Sequence, residues 1–327
     1  MLCGEPRKGL IIHSGAIGDC LLTLPLAAYM KQVCGLSQVH LMARPEAVGF
    51  YPGRSVVDRI RPLESVPLHR LFEPQDTFVL DDGDRLIAAL GGYEQIVSFL
   101  GVGNPDFEQN LVMTVYCGHS AHITMMPLTP PTDEPVSQFY IRHLAEQNQT
   151  APTALDLSAV WLNALPEDNA AGRDRLQSAG IDPDADIAIL HPGSGGRHKC
   201  WHTDNFRALA EMLRLRGMAP VFLFGPVEQE RFSDAEKQAF SQTAPVLSEL
   251  TLTETLQVLS AADRFIGNDS GISHLAGCLG KKTIAIFGST NPALYRPLGH
   301  SVTVFRGDPA GFEGRCTDEV ARLSELI

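Results

Sequence analysis

Two short segments of this chain carry residues able to do chemistry. His13-Ser14-Gly15-Ala16-Ile17-Gly18-Asp19 lies near the start, and Gly267-Asn268-Asp269-Ser270-Gly271-Ile272-Ser273-His274 near the end. Each follows a short apolar run and opens an apolar-periodic segment. Each is therefore expected to form a strand, a polar turn and a helix start. Free N–H groups and the helix dipole converge at such starts and attract anions. The later segment suits a phosphate, because Ser270 and Gly271 offer backbone N–H groups and Gly271 lets a ligand approach closely. The earlier segment suits a base, because the dipole favours an anionic Asp19 that can take a proton from a hydroxyl. Taken singly, Asp19, Asp269 and Ser270 also fit ordinary helix caps.

Other loops strengthen the later site. His191-Pro192-Gly193-Ser194-Gly195-Gly196-Arg197-His198-Lys199-Cys200-Trp201 follows the apolar run Ile187 to Leu190. Ser194, Gly195 and Lys199 there can meet a phosphate through a hydroxyl, backbone N–H groups and a point charge. No Lys-Ser or Lys-Thr follows the glycines, so this is not a P-loop. Glu228 follows Phe224-Gly225-Pro226, and a carboxylate there suits a ribose or sugar hydroxyl. Gly288-Ser289-Thr290-Asn291-Pro292 is a fourth polar loop after a strand. In open α/β sheets ligands sit outside the carboxyl ends of the strands, so four such loops converge. His274 lies one turn into its helix, where contact with the ligand and packing are both open. Asp82-Gly83-Asp84 reads as a helix cap more readily than a metal site. The glycines of Gly15 to Gly18 lack the GxGxxG spacing of dinucleotide binders. No histidine pair has metal-ligand spacing, so no metal is expected.

The positioning elements follow from apolar runs and punctuation. Strands are expected at Gly9–Ile12, Gln38–Met42, Leu155–Leu162, Ile187–Leu190, Pro220–Phe224, Arg264–Ile266 and Lys282–Phe287, and Val56–Ile60, Phe78–Leu80 and Gln95–Leu100 continue an irregular alternation of strands and helices. Helices are expected at Cys20–Val33 (kinked by Pro25), Phe139–Asn148, Thr203–Arg216, Gln229–Thr243, Thr253–Ala262, Ser270–Leu279 and Thr317–Leu326. Thr203 or Asp204 caps one, and Thr251 or Thr253 another. Strands alternating with helices argue for parallel sheets covered on both faces. Residues 101–160 are hard to read, and the polar stretch Pro166–Pro183 is the expected domain junction.

The 327 residues suffice for two domains. A formal net charge of −12 argues against indiscriminate nucleic-acid binding. A local cationic stretch remains at Arg54, Arg59, Arg61, His69 and Arg70. Seven cysteines without a CxxC pair read as reduced thiols, which favours a cytoplasmic location. Cys20, beside Asp19, is either a reactive thiol or a buried spectator. No apolar run reaches the length of a membrane span.

Taken together, Ser14 to Pro25, His191 to Trp201, Phe224 to Glu228, Gly267 to Ala276 and Phe287 to Pro292 resemble glycosyltransferase family 9, the ADP-heptose:lipopolysaccharide heptosyltransferases. The resemblance covers most of the chain and is loose over residues 101–170. It implies an α/β protein of GT-B architecture, two Rossmann-like domains with parallel sheets facing across a cleft. Residues 1–168 would bind the acceptor, 169–310 the nucleotide-sugar, and 311–327 would pack back on the first domain. The implied reaction is inverting, metal-independent transfer of heptose from ADP-heptose to a hydroxyl of a lipopolysaccharide core or similar glycan. No cofactor is implied beyond the nucleotide-sugar substrate. Asp19 would be the general base and Lys199 a catalytic cation. Ser194, Gly195, Lys199, Glu228, Asp269, Ser270, Gly271 and His274 would bind the donor. Gly18, Arg54, Arg59 and Arg61 are the candidates for holding a lipid-linked or core oligosaccharide. Peripheral contact with the inner membrane and no nucleic-acid partner complete the expectation. Rival readings are an epimerase of the same architecture, a transferase using another nucleotide-sugar, a nicotinamide-dependent oxidoreductase and a binding protein with a degenerate site.

Overall fold

The computed structural model describes residues 6–150, 155, 156 and 159–327. The chain divides into two compact units, Met1–Asp156 and Leu157–Ile327. In the first, strands β1 (Lys8–Ile12), β2 (Gln38–Ala43), β3 (Arg59–Pro62), β4 (Gln95–Ser98) and β5 (His122–Met125) form one parallel sheet in the order β3-β2-β1-β4-β5. Its helices are α1 (Ile17–Leu21), α2 (Leu24–Gln32), α3 (Pro45–Val48), α4 (Arg85–Leu90), α5 (Pro105–Gly118) and α6 (Val136–Gln147). Leu10, Ile12, Ile96, Leu111 and Phe107 fill the core on one face of the sheet.

In the second, β6 (Ile187–His191), β7 (Ala219–Leu223), β8 (Val246–Leu247), β9 (Arg264–Asn268), β10 (Lys282–Phe287) and β11 (Val302–Arg306) are parallel in the order β11-β10-β9-β6-β7-β8. The helices are α7 (Pro166–Ser178), α8 (Thr203–Leu215), α9 (Pro226–Arg231), α10 (Asp234–Thr243), α11 (Leu252–Ala261), α12 (Gly271–Cys278), α13 (Pro292–Tyr295), α14 (Pro309–Glu313) and α15 (Thr317–Ser324). Both sheets have the Rossmann order, which reverses between β1 and β4 and between β6 and β9. Those reversals open crevices at the carboxyl ends of the strands, where ligands bind. Both units are thus Rossmann-like, as the sequence implied.

Several elements differ from expectation. Pro25 does more than kink a helix: α1 ends at Leu21 and α2 restarts at Leu24, with Thr23 Oγ1 donating to Cys20 O at 2.7 Å. Phe78–Leu80 forms neither strand nor helix; Phe78 is buried beneath the Arg70 guanidinium, 5.8 Å from its ring centroid. Leu155–Leu162 forms no strand among its described residues, and the N–H groups of Trp161 and Leu162 share the Cys278 carbonyl. The boundary lies before 168, because α7 packs on α11 in the second unit. Gly172 crosses α11 at the Gln257 carbonyl, where a Cβ would overlap. His202 rather than Thr203 or Asp204 caps α8, accepting from the Asp204 N–H at 3.3 Å.

The C-terminal helix finds partners inside the second unit. Val320 and Leu323 join the core formed by α8 and the sheet. Glu319, 1% exposed, accepts from Trp201 Nε1 at 2.6 Å and from the Asp308 N–H. Among the described residues no helix is long and apolar enough to cross a membrane.

Candidate active site

Of the four polar loops expected to converge, those after β6, β7 and β9 meet at the crevice between β6 and β9. Asn268, fully buried at the end of β9, staples them. Its Oδ1 accepts from the Trp201 N–H at 2.9 Å and its Nδ2 donates to Pro192 O at 2.6 Å. Ser194 Oγ donates to Asp269 O at 2.6 Å, and Lys199 Nζ reaches Asp269 Oδ2 at 2.9 Å. The ion pair joins an Asp269 side chain that is 6% exposed to a Lys199 side chain that is 32% exposed. Ser270 caps α12, accepting from the Ser273 N–H at 3.4 Å, and His274 is buried one turn later. Ser194 therefore spends its hydroxyl on the loop itself, while the ammonium of Lys199 stays accessible.

Arg231 is a residue that sequence reasoning missed. It donates to Ser194 O at 3.1 Å and to Gly195 O at 2.8 Å. Both acceptors are neutral carbonyls, so its charge is not cancelled by the contacts that hold the loop. Glu228, 2% exposed, closes the first turn of α9 by accepting from the Gly225 N–H at 2.6 Å. Beside it lies a cavity of about 200 Å³, lined among others by Gly193, Trp201, Glu228, Arg231 and Phe312. A Cβ on Gly193 would overlap the Glu228 carboxylate, whereas one on Gly195 meets only open space. Overpacking of this kind costs roughly 1–3 kcal/mol. Gly193→Ala is therefore expected to lower the melting temperature by roughly 2–4 °C for each kcal/mol lost. Gly195→Ala should stay within about 0.5 kcal/mol. Scanning calorimetry of the two variants checks the contrast.

In the first unit, Asp19 is the third residue of α1, half-buried, and accepts from the Ala16 N–H at 3.0 Å. Gly15 carries the turn: its N–H donates to His13 Nδ1 at 2.9 Å and its carbonyl accepts from Arg44 at 3.1 Å. His13 ends fully buried, and its Nε2 has no partner among the described residues. An unpaired buried N–H costs about 1–3 kcal/mol. Burial pushes the His13 pKa down to about 4, against the smaller upward pull of Asp19. Cys20 is a buried spectator: burial first and the Asp19 charge second push its thiol up to about 12. All six described cysteines are free thiols.

Of the cationic stretch, Arg54, Arg59 and Arg61 are spread over β3 and the loop before it. Arg61 is committed to the Ala89 carbonyl and to Tyr93 Oη at 3.1 Å, and Arg59 begins β3 opposite His40. Arg54 donates to Phe50 O at 3.4 Å. One cation at the Asp19 turn is Arg44, exposed at the carboxyl end of β2, which sequence reasoning passed over. Gly18 sits within α1, its carbonyl accepting from the Leu22 N–H. Asp84 caps α4, accepting from Leu86 N–H at 2.8 Å and from Arg70 at 2.7 Å. Among the described residues no cluster of three His, Cys, Asp or Glu side chains could hold a metal ion.

The model of glycosyltransferase family 9 (heptosyltransferase) matches residues 137–321. The chain belongs to glycosyltransferase family 9. Relatives agree. It is 33% identical over 130 residues to lipopolysaccharide heptosyltransferase 1 of Pseudomonas aeruginosa, 40% of this chain and 36% of that one. Over 299 residues it is 24% identical to lipopolysaccharide heptosyltransferase 1 of Salmonella typhimurium, covering 89% and 91% of the two chains. The matches to the first three curated relatives span only 36% to 49% of their lengths. The fold matches the E. coli ADP-heptose lps heptosyltransferase II with a TM-score of 0.67 at 16% identity, over 98% of each chain. A glycosyl transferase of family 9 from Veillonella parvula gives 0.71 at 16% identity, over 92% of this chain and 86% of that one. In this family 9 chain the GT-B pair of Rossmann-like sheets carries the acidic turn on β1 and the Lys199–Asp269 pair beside β9.

Proposed function

We propose that this family 9 chain transfers a heptose from ADP-heptose to a hydroxyl of a lipopolysaccharide core, with inversion at the anomeric carbon. The observation that carries the reading is the convergence of Lys199, Asp269, Ser270 and Arg231 at the β6–β9 reversal. The relatives named as lipopolysaccharide heptosyltransferases support the choice of sugar and acceptor. In this reading the donor diphosphate meets Lys199, Gly195 and the N–H groups at Ser270 and Gly271. Asp269 and His274 face the donor sugar, and the carboxylate of Glu228 borders the cavity that takes the nucleoside. Asp19 removes the proton of the acceptor hydroxyl as its oxygen attacks the anomeric carbon. The electron pair of the broken C–O bond leaves with the diphosphate, where Lys199 opposes the developing charge. Arg44, which holds the Gly15 carbonyl, joins the cations available to face an acidic acceptor. Peripheral contact of the acceptor-bearing chain with a membrane surface belongs to the same proposal.

The test is thermal stabilisation by ADP, UDP, GDP, CDP and NAD, followed by transfer from ADP-heptose to lipopolysaccharide cores. A nucleotide at about 100 times its dissociation constant adds about 2.7 kcal/mol, or several degrees for a unit of this size. Stabilisation by ADP with mass-spectrometric detection of a heptosylated core is the expected result. Stabilisation by UDP or GDP alone removes ADP-heptose, and NAD alone overturns the reading. An epimerase would convert the donor without any glycosylated product.

A further inference from the structure

We propose that His13 is a positioning residue for Asp19: as a neutral imidazole it holds, through Nδ1, the Gly15 amide that sets the turn carrying the carboxylate. The inference rests on the reading of Asp19 as base. Gly15 N–H donates to Nδ1 at 2.9 Å, and only an unprotonated Nδ1 can accept. The ring proton therefore sits on Nε2, which is buried and unpartnered among the described residues. A side chain kept for packing alone would be better served by phenylalanine, which brings no such orphan donor. The ring already lies in an aromatic setting, 4.5 Å from the Phe99 centroid. What the imidazole adds is the acceptor for Gly15.

The rest of the turn depends on that bond. A Cβ on Gly15 would overlap the His13 ring and crowd Asp19 Cβ at 3.0 Å, so the backbone threads between the two side chains. The Gly15 carbonyl is held by Arg44 at 3.1 Å, and the next amide, Ala16 N–H, donates to Asp19 at 3.0 Å. The charged and titratable groups facing His13 are Asp19, Cys20 with Sγ 3.6 Å from Nδ1, and, on the far side of Gly15, Arg44. Cys20 stays a thiol, and burial keeps the imidazole neutral at pH 7. A protonated ring would present a donor to the Gly15 donor and break the turn.

Two measurements test this. Nitrogen-15 NMR of histidine-labelled full-length protein at pH 7 should show a pyridine-like Nδ1 and a pyrrole-like Nε2 at His13; the opposite tautomer or an imidazolium overturns the proposal. Side-chain reach supplies the second test, because the Asn amide oxygen falls near the position of Nδ1 and the Gln amide near Nε2. His13→Phe and His13→Gln should lose between about tenfold and about a hundredfold in kcat, the scale of a misplaced catalytic group. Donor KM should be unchanged, and His13→Asn should recover most of the turnover. Equal loss in the Asn and Gln variants, or full activity in the Phe variant, refutes the role. Asp19→Asn is assayed in parallel. If it is inactive while His13→Phe is active, only the positioning role falls; if it is fully active, the base reading falls and takes this role with it.

Discussion

Asp19→Asn is expected to lower turnover by about 10²–10⁴-fold, the usual worth of a general base, while nucleotide binding is preserved. The choice of Asn matters. Its amide oxygen can still accept the Ala16 N–H that Asp19 holds at 3.0 Å, so the start of α1 survives and only the charge is removed. Asp19→Ala loses that contact as well and mixes a structural effect with the chemical one. A single carboxylate suffices for the proposed reaction. Glycoside hydrolysis needs a second carboxyl group to protonate the leaving oxygen. A nucleoside diphosphate departs as a stable anion and needs charge stabilisation instead. The attacking hydroxyl has no such help, and its proton must go to a base. Steady-state transfer to lipopolysaccharide cores and calorimetric titration with ADP separate the two effects. An Asn variant with unaltered turnover removes Asp19 as the base.

Much of the architecture behind that prediction was legible in the sequence because buried parallel strands read as short apolar runs. Ile187–Leu190, Arg264–Ile266 and Lys282–Phe287 all became strands, and the polar loops after them came to one sheet edge. What could not be read depends on neighbours distant in sequence. Asn268 looks like an ordinary polar residue at a strand end, yet it bonds the Trp201 amide 67 residues away. Arg231 resembles any exposed helix arginine until Ser194 and Gly195 appear beneath it. The clustering of Arg54, Arg59 and Arg61 in sequence says nothing of where strand register sends each side chain. Pairing Arg61 opposite Met42 sends its guanidinium to Ala89 and Tyr93. Arg44 stood alone and drew no attention, although it follows β2 at the edge that carries Asp19. Val302–Arg306 escaped notice as a strand because its burial alternates only partly, as befits an edge.

The second large effect is expected at Lys199. Lys199→Met should reduce kcat by about 10²–10³-fold, the scale of losing one preorganised group that meets developing charge. The partner complicates the reading. Asp269, with a side chain 6% exposed, holds Lys199 at 2.9 Å, so removing the ammonium leaves a nearly buried carboxylate without its counter-ion. An incoming diphosphate would then face an extra negative charge, and donor binding would weaken for a reason unrelated to catalysis. A double variant, Lys199→Met with Asp269→Asn, separates the two causes. Removing the stranded charge should restore much of the donor affinity, since Arg231 remains to offset the diphosphate. Turnover should stay low, because no mobile cation is left to follow the charge onto the leaving phosphate. Recovery of turnover together with affinity would mean that Lys199 serves only to neutralise Asp269. Measured as a double-mutant cycle in both KM and kcat, the pair thus distinguishes a cation that acts on the reaction from one that merely keeps its neighbour quiet.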